Sequence, residues 1–293
     1  MVLLLLSATS ACAACRPEVR AEVPVRVQDG FPLVTASVGG QAATLLLDTG
    51  AQGMLLLPEA VARLRLPADP GRTTRMLGTG GPRDAPNAVL RGLTLGGVAL
   101  PGGSVPVAAL PGVPATDPPL AGLLGAPLLR AYDVDLDLRA GRLTLLAPTG
   151  CAPDGTAIAL RDVGDGNLML PVRVNGVPLL AVPDTGTRIT LLSDDAARRL
   201  GLDAPISAST ARGIDGQRVP LRHLPLRALQ VGPDVVRNMP VSVTDLQIAP
   251  ADVLLGLDWF EQRRVWLSHA AGLMVTRPSA PSPGGRGSSG CSS

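Results

Sequence analysis

Apolar residues occur in short runs along this chain, and glycine or proline interrupts most of the runs. The 293 residues include 34 Gly and 29 Pro, and 46% of the chain is hydrophobic. Short apolar stretches separated by turn residues are typical of strands and tight turns rather than long helices. The pattern predicts a mainly β protein, of a length that suits one large domain or two lobes.

The same pattern occurs twice. Shifting the sequence by 136 residues places Asp48-Thr49-Gly50 on Asp184-Thr185-Gly186, and the match continues on both sides. Further on, Leu-Leu-Gly at 123–125 corresponds to Leu-Leu-Gly at 254–256. Other matched pairs are Val38 with Val174, Gly40 with Gly176, Leu55-Leu56 with Leu191-Leu192, Ala60 with Ala196, and Leu64 with Leu200. We infer an internal duplication that produces two similar lobes.

Each copy predicts the same succession of elements. An extended segment ends at Asp-Thr-Gly and is followed by a short helix, a hairpin, further strands, Leu-Leu-Gly and a closing strand pair. The helices are predicted in LPEAVARLRL and LSDDAARRLGL, with Pro58 in the first turn of one and Ser193 as the N-cap of the other. Asp215-Gly216 is a tight-turn signal, and Thr79-Gly80 is its counterpart in the first copy.

The two ends of the chain lie outside this repeat. Residues 1–14 combine a short apolar run with small residues and predict a signal peptide, hence an exported protein in the periplasm or the extracellular space. A lipid anchor at Cys12 or Cys15 is the alternative interpretation. Residues 277–293 are rich in Pro, Gly and Ser and predict a disordered tail. The lobes then cover residues 15–150 and 151–276.

Cysteine placement is compatible with export. If the leader is cleaved before Cys15, then Cys15, Cys151 and Cys291 remain. A disulfide between Cys15 and Cys151 suits an oxidising compartment, but the sequence leaves the pairing open.

Composition argues against several other functions. A net charge of +2 without a basic run, and only 2% aromatic residues, do not favour nucleic-acid binding. His223 and His269 are the only histidines and have no metal-ligand spacing, so we expect neither a metal nor another cofactor.

Two further motifs have ordinary structural interpretations. Gly-Thr-Gly-Gly at 78–81 is interpreted as a turn, because no Lys or strand-to-helix context supports a phosphate loop. Asp133, Asp135 and Asp137 alternate along a predicted strand, and a solvated strand face is favoured there over a calcium site.

Two equivalent acidic loops suggest a specific chemistry. If the lobes pack about a pseudo-twofold axis, Asp48 and Asp184 meet face to face. Two carboxylates about 3 Å apart do not both ionise easily, so the pair shares one proton. One carboxyl can then act as general base on a water while the other acts as general acid, which suits peptide-bond hydrolysis without a metal. Gly50 and Gly186 would allow the backbone to approach the acids.

These motifs resemble the aspartic proteases of the retropepsin and pepsin group, and are closest to bacterial two-lobed retropepsin-like proteins. The resemblance rests on both Asp-Thr-Gly motifs, the AARRLGL and AVARLRL helices and both Leu-Leu-Gly elements, and it covers about residues 23 to 276. It implies an all-β fold of two tandem β-barrel lobes related by pseudo-twofold symmetry, with the active cleft between them.

The resemblance also implies roles for particular residues. Asp48 and Asp184 would be the catalytic pair. The supporting residues would be Thr49, Gly50, Thr185, Gly186 and Thr187, with the flap tips at Thr79, Gly80, Asp215 and Gly216. Flap closure would hold a protein or peptide substrate in an extended conformation between the lobes of a monomer.

Two positions depart from the family pattern. Pro183 precedes Asp184 and lacks a backbone donor, so we expect one hydrogen bond to be missing and the loop shape to change. Residue 51 is Ala where the second copy has Thr187. A peptide-binding protein without catalysis, favoured by Pro183, is therefore the alternative to an endopeptidase. A scaffold with purely structural lobes is the third hypothesis.

Overall fold

The computed structural model describes residues 16–78, 81–162, 168–202, 205–212, 218–246 and 249–279. Within these ranges almost all regular structure is strand, and the helices are no longer than six residues. The predicted all-β fold class is confirmed.

The first lobe contains twelve strands and two helices among the described residues. Their bounds are β1 Val19–Gln28, β2 Phe31–Val38, β3 Gln41–Leu47, β4 Leu55–Leu56, α1 Pro58–Arg63, β5 Ala68–Gly78, β6 Gly81–Leu90, β7 Leu93–Leu95, β8 Val98–Ala99, β9 Gly103–Pro106, β10 Leu120–Leu124, α2 Ala126–Ala131, β11 Asp133–Asp137 and β12 Arg142–Leu146.

The second lobe follows the same order. Its described elements are β13 Thr156–Ala159, β14 Arg161–Asp162, β15 Leu168–Val174, β16 Val177–Pro183, β17 Leu191–Ser193, α3 Asp194–Arg199, β18 Ser207–Arg212, β19 Arg218–Val231, β20 Asp234–Thr244, β21 Val253–Leu255, α4 Leu257–Phe260, β22 Arg263–Ser268 and β23 Leu273–Pro278.

The duplication appears in the structure as a repeated sheet topology. In the first lobe β2, β3, β10 and β4 are neighbours, with β10 parallel to β3 and antiparallel to β4. In the second lobe β15, β16, β21 and β17 repeat the same order and directions. Each lobe also has a hairpin, β5 with β6 and β18 with β19, at the position predicted for a flap.

Burial explains why the strands before the Asp-Thr-Gly motifs are continuously apolar. All five residues of β10 are buried, as are the last five residues of β3 beside it. Parallel strands covered on both faces show such unbroken apolar runs instead of alternation. In the second lobe the last three residues of β16 and all of β21 are buried too, so both aspartate loops start from the interior of a lobe.

Both predicted helices are present and begin where expected. Helix α1 has Pro58 in its first turn, and the Ser193 side chain caps α3 by accepting a hydrogen bond from the Ala196 amide at 3.1 Å. Two short helices, α2 and α4, follow the Leu-Leu-Gly motifs and were not predicted.

A sheet shared by the two lobes joins the halves of the chain. Its strand order is β13-β23-β22-β11-β12-β1, and β22 of the second lobe pairs directly with β11 of the first. The prediction of a solvated face on β11 is wrong, because Asp133, Asp135 and Asp137 are all buried. Asp135 accepts two hydrogen bonds from Arg264 at 2.8 Å and one from Arg277 at 2.7 Å, so strands of the second lobe cover this face.

The predicted chain ends are only partly within the described ranges. Strand β23 extends to Pro278, so residues 277 and 278 belong to the fold and not to the predicted tail, because Arg277 pairs with Arg264 in the shared sheet. The predicted leader, 1–14, and residues 280–293 lie outside the described ranges.

Cys151 is disulfide-bonded, but the three other cysteines lie outside the described ranges, so the pairing stays a prediction. The described helices include none with the length and apolar character needed to cross a membrane.

Candidate active site

Each aspartate follows directly after a buried strand. Asp48 comes after β3, and its amide donates a hydrogen bond to the Leu124 carbonyl at 3.0 Å. Asp184 comes after β16 and bonds in the same way to the Leu255 carbonyl at 2.9 Å. The middle residues of the Leu-Leu-Gly motifs therefore hold the starting points of both aspartate loops.

The glycine of each Leu-Leu-Gly motif passes behind the aspartate loop of its own lobe. A Cβ atom at Gly125 would lie 2.4 Å from the carbonyl oxygen of Ala51, and one at Gly256 would lie 2.5 Å from the carbonyl carbon of Ile189. Real Cβ atoms do not approach other atoms so closely. Only glycine therefore allows these two backbone segments to lie as near to the aspartate loops as they do.

Thr49 and Thr185 lock the two loops to each other. The Thr49 hydroxyl donates to the carbonyl of Pro183 at 2.8 Å, and the Thr185 hydroxyl donates to the carbonyl of Leu47 at 2.7 Å. Each threonine amide also donates to the hydroxyl of the other threonine, both at 3.1 Å. Because all four bonds cross between lobes, they fix the relative position of the aspartates.

Backbone amides orient each carboxylate. Oδ1 of Asp48 accepts hydrogen bonds from the amides of Gly50 at 3.1 Å and Ala51 at 3.0 Å. Oδ1 of Asp184 accepts the equivalent bonds from Gly186 at 2.9 Å and Thr187 at 3.2 Å. The two loops therefore hold their acids in the same way.

Gly50 and Gly186 make room for the acid of the opposite lobe. A Cβ atom at Gly50 would lie 2.6 Å from Cγ of Asp184, and one at Gly186 would lie 2.4 Å from Cγ of Asp48. This close approach brings the two carboxyl groups together, and they are hydrogen-bonded to each other.

Burial favours the protonated form of both acids. The pKa of Asp48 lies well above its ordinary value, first because of burial and then because of the charge of Asp184. The pKa of Asp184 is also raised by burial, while hydrogen bonds from Thr187 and Asp48 oppose the rise. The hydrogen bond from Thr187 therefore favours the charged form of Asp184 over that of Asp48.

The asymmetry originates at the residue that follows each glycine. The Thr187 hydroxyl donates to Oδ2 of Asp184 at 2.6 Å and stabilises its charged form. Ala51 occupies the same place beside Asp48 and offers only its backbone amide. The two acids are thus distinguished chemically although their backbones match.

Pro183 does not distort the second loop. Proline has no amide hydrogen to donate, but the Pro183 carbonyl accepts a hydrogen bond from the Thr49 hydroxyl. Asp184 accepts two hydrogen bonds from amides of its own loop, as Asp48 does. The expected change of loop shape is therefore wrong, because no bond of the lock depends on an amide at position 183.

The predicted flap tips cannot be placed. Thr79, Gly80, Asp215 and Gly216 lie outside the described residues, and only the hairpin arms that lead to them are described. Their role stays a prediction.

The remaining polar candidates lie outside this site. The His223 ring bonds the hydroxyls of Ser209 at 2.8 Å and Ser242 at 2.9 Å, and His269 is a half-buried side chain whose pKa is lowered by burial. No group of three or more potential metal ligands occurs in the part of the chain that the structure describes.

One supporting residue was not predicted from the sequence. Asp258 accepts hydrogen bonds from the Thr190 amide at 3.0 Å and hydroxyl at 2.8 Å, and so anchors the end of the second aspartate loop. The Thr190 hydroxyl in turn accepts the Gly256 amide at 3.1 Å. The only signal was an acidic residue two positions after Leu-Leu-Gly, which the first copy lacks.

Two all-β lobes that each bring one Asp-Thr-Gly loop to a common centre define the class of two-lobed, pepsin-like and retropepsin-like aspartic proteases. Comparisons with known proteins agree. The family model described as aspartyl protease matches residues 34–128 and 170–259, which together are more than half of the chain. This chain therefore belongs to the aspartyl protease family, and a protease-type hydrolase function follows from that membership.

Individual relatives support the same assignment. The aspartic proteinase from Irpex lacteus has a crystal structure that aligns with a TM-score of 0.56, over 90% of this chain and 98% of that proteinase, at 14% identity. That likeness shows the fold. "Protein DDI1 homolog 1" from Rattus norvegicus is 30% identical over 100 residues, which are 33% of this chain and 24% of the rat protein. The match thus spans about a quarter of the rat protein's length.

Proposed function

We propose that this protein is an exported aspartic endopeptidase in which Asp48 and Asp184 together activate a water molecule. The observation that carries the proposal is the contact between the carboxyl groups of the half-buried Asp48 and the buried Asp184, which come from different lobes and are each held by backbone amides of their own loop. Such a pair provides an acid and a base at one point.

The asymmetry of the pair assigns the two roles. Asp184, the first to ionise, accepts a proton from the water as the water oxygen attacks the scissile carbonyl carbon. Asp48 donates its proton to the carbonyl oxygen, which gives a neutral tetrahedral intermediate. The carbon–nitrogen bond then breaks as Asp184 returns its proton to the leaving nitrogen, and Asp48 recovers a proton from the intermediate.

The substrate would be a protein or peptide in an extended conformation between the lobes, with the β5–β6 and β18–β19 hairpins on either side of it. Hairpin edges offer unpaired backbone groups to an extended chain. Export, with a lipid anchor as the alternative, stays part of this proposal on the strength of the predicted leader. Function as a monomer also stays part of it, because one chain contains both lobes and both aspartates.

The test is cleavage of a mixed peptide library between pH 3 and pH 8 by the wild type, Asp48→Asn and Asp184→Asn at equal folded concentration. We expect wild-type cleavage with a pH profile set by the coupled pair and none detectable in either variant. Asp154→Asn is the matched control, because Asp154 is exposed and far along the chain from both loops. It should cleave like the wild type.

A peptide-binding protein without catalysis is the outcome that would replace this proposal. It would bind library peptides in all four forms and cleave none of them. Since Pro183 leaves the second loop intact, the feature that favoured this alternative no longer supports it.

A further inference from the structure

The two lobes differ in charge at the fourth residue after each aspartate. With the 136-residue shift that superimposes the two motifs, Gln52 of the first lobe corresponds to Arg188 of the second. A cation therefore follows one aspartate loop and a neutral side chain follows the other.

The Arg188 side chain lies against the first lobe. It is exposed, and its guanidinium lies over the ring of Phe31 at 5.5 Å from the ring centroid. A Cβ atom at Gly30 would lie 2.8 Å from Cδ of Arg188, so the side chain rests on the turn between β1 and β2 of the opposite lobe. Contact with an aromatic ring and a backbone turn restricts the positions that this guanidinium can take.

The charge of Arg188 has no acidic partner among the described residues. No carboxylate there lies within ion-pair distance of its guanidinium, although Asp29 is adjacent in sequence to Gly30. By contrast, Arg263 and Arg264 of the same lobe are paired with Asp234 and Asp135. An exposed and unpaired arginine is available to a ligand.

Arg188 is also within reach of a substrate bound at the aspartates. It follows Asp184 by four residues, so their Cα atoms are at most about 14 Å apart. An extended peptide advances about 3.3 Å per residue. A substrate side chain within about four residues of the scissile bond can therefore meet the guanidinium.

We propose that the second lobe selects an acidic side chain of the substrate, on one side of the scissile bond and within about four residues of it, with Arg188 as the specificity-determining residue. The inference rests on the proposed peptidase function. It predicts that Glu is preferred over its neutral isostere Gln at one substrate position.

The test compares pairs of peptides that differ only by Glu or Gln at each position flanking the cleavage site, at pH 6, where a peptide Glu is ionised. We expect wild-type kcat/KM to favour Glu by roughly three- to tenfold at one position, as for a partly exposed ion pair. Arg188→Gln, which installs the residue of the first lobe, should reduce this ratio to about one. Arg91→Gln, which removes an exposed charge at the far end of β6 from the hairpin tip, should keep the ratio.

Two further measurements separate this inference from the proposed function. The Glu preference should shrink at high salt and disappear below the pKa of a peptide Glu. The affinity of Asp48→Asn for the same peptide pairs is also measured, which gives the Glu-over-Gln selectivity of binding without cleavage. Cleavage with equal Glu and Gln rates, or binding that Arg188→Gln leaves unchanged, would overturn the inference and leave the peptidase intact. Selective binding without cleavage in the wild type would support the inference and refute the catalytic proposal.

Discussion

Thr187 is the residue that makes two similar aspartates unequal. Its hydroxyl donates a 2.6 Å hydrogen bond to Asp184, while Ala51 leaves the corresponding oxygen of Asp48 without such a donor in the loop. A hydrogen bond to a charged acceptor is stronger than one to a neutral group. The bond therefore favours the charged form of Asp184 relative to that of Asp48.

Thr187→Val should consequently move the acidic limb of the pH profile of kcat/KM to higher pH. Loss of the donor raises the pKa of Asp184 further, so at a given low pH a larger fraction of the protein has both acids protonated and lacks a base. The measurement is kcat/KM for one peptide from pH 3 to pH 7. Thr187→Ser keeps the hydroxyl and should retain the wild-type limb; coincident limbs in all three forms would contradict this explanation.

The sequence contains both acids and the Ala51–Thr187 difference beside them, but not the contacts that this difference produces. Both Asp-Thr-Gly triplets are visible in the sequence, and Gly50 and Gly186 were assigned to close backbone approach on conformational grounds. The structure adds that each glycine faces the acid of the opposite lobe. The proton location depends on burial and hydrogen bonds from both lobes, which no single segment specifies.

The two predicted helices are capped differently, and this difference can be measured. Ser193 accepts a hydrogen bond from the Ala196 amide at the start of α3, whereas Leu57 at the start of α1 has no side chain that can do so. Ser193→Ala should lower the free energy of unfolding by about 1 kcal/mol, because the amide loses its acceptor. Urea unfolding followed by circular dichroism gives the value. Ser193→Thr retains the oxygen, and a loss as large as that of Ser193→Ala would show that the cap is not the cause.

Ser193 and Pro58 mark the starts of α3 and α1 within a few residues of chain. Helix α2 has the same length as α1 and also has a proline, Pro127, in its first turn, so the sequence contained a local signal for it as well. Helix α4 has only four residues, too few for helical periodicity to appear in the sequence.

Asp135 contributes to holding the lobes together. It is 7% exposed as a side chain and bonds Arg264 and Arg277, which lie on the last two strands of the second lobe. Asp135→Ala would leave two partly buried guanidinium groups without their anion. We expect a loss of about 3 kcal/mol in the free energy of unfolding, measured by urea titration.

A surface ion pair provides the comparison for this loss. Asp195 and Arg198 pair on α3, with side chains 80% and 66% exposed. Asp195→Ala should cost less than about 1 kcal/mol, because exposed ion pairs contribute little. Equal losses for Asp135→Ala and Asp195→Ala would mean that the shared sheet does not depend on the buried pair.

The duplication, the element order and the two acidic motifs follow from the chain alone, because each is encoded in residues close together in sequence. The strand-face error at Asp133, Asp135 and Asp137 has the opposite origin. Alternating acids predict solvent on one face, but strands more than a hundred residues away supply the arginines that cover Asp135. The acid pair, its lock through Thr49 and Thr185, and the position of Arg188 over Phe31 are likewise decided only by the packing of the lobes, because each combines groups from both halves of the chain.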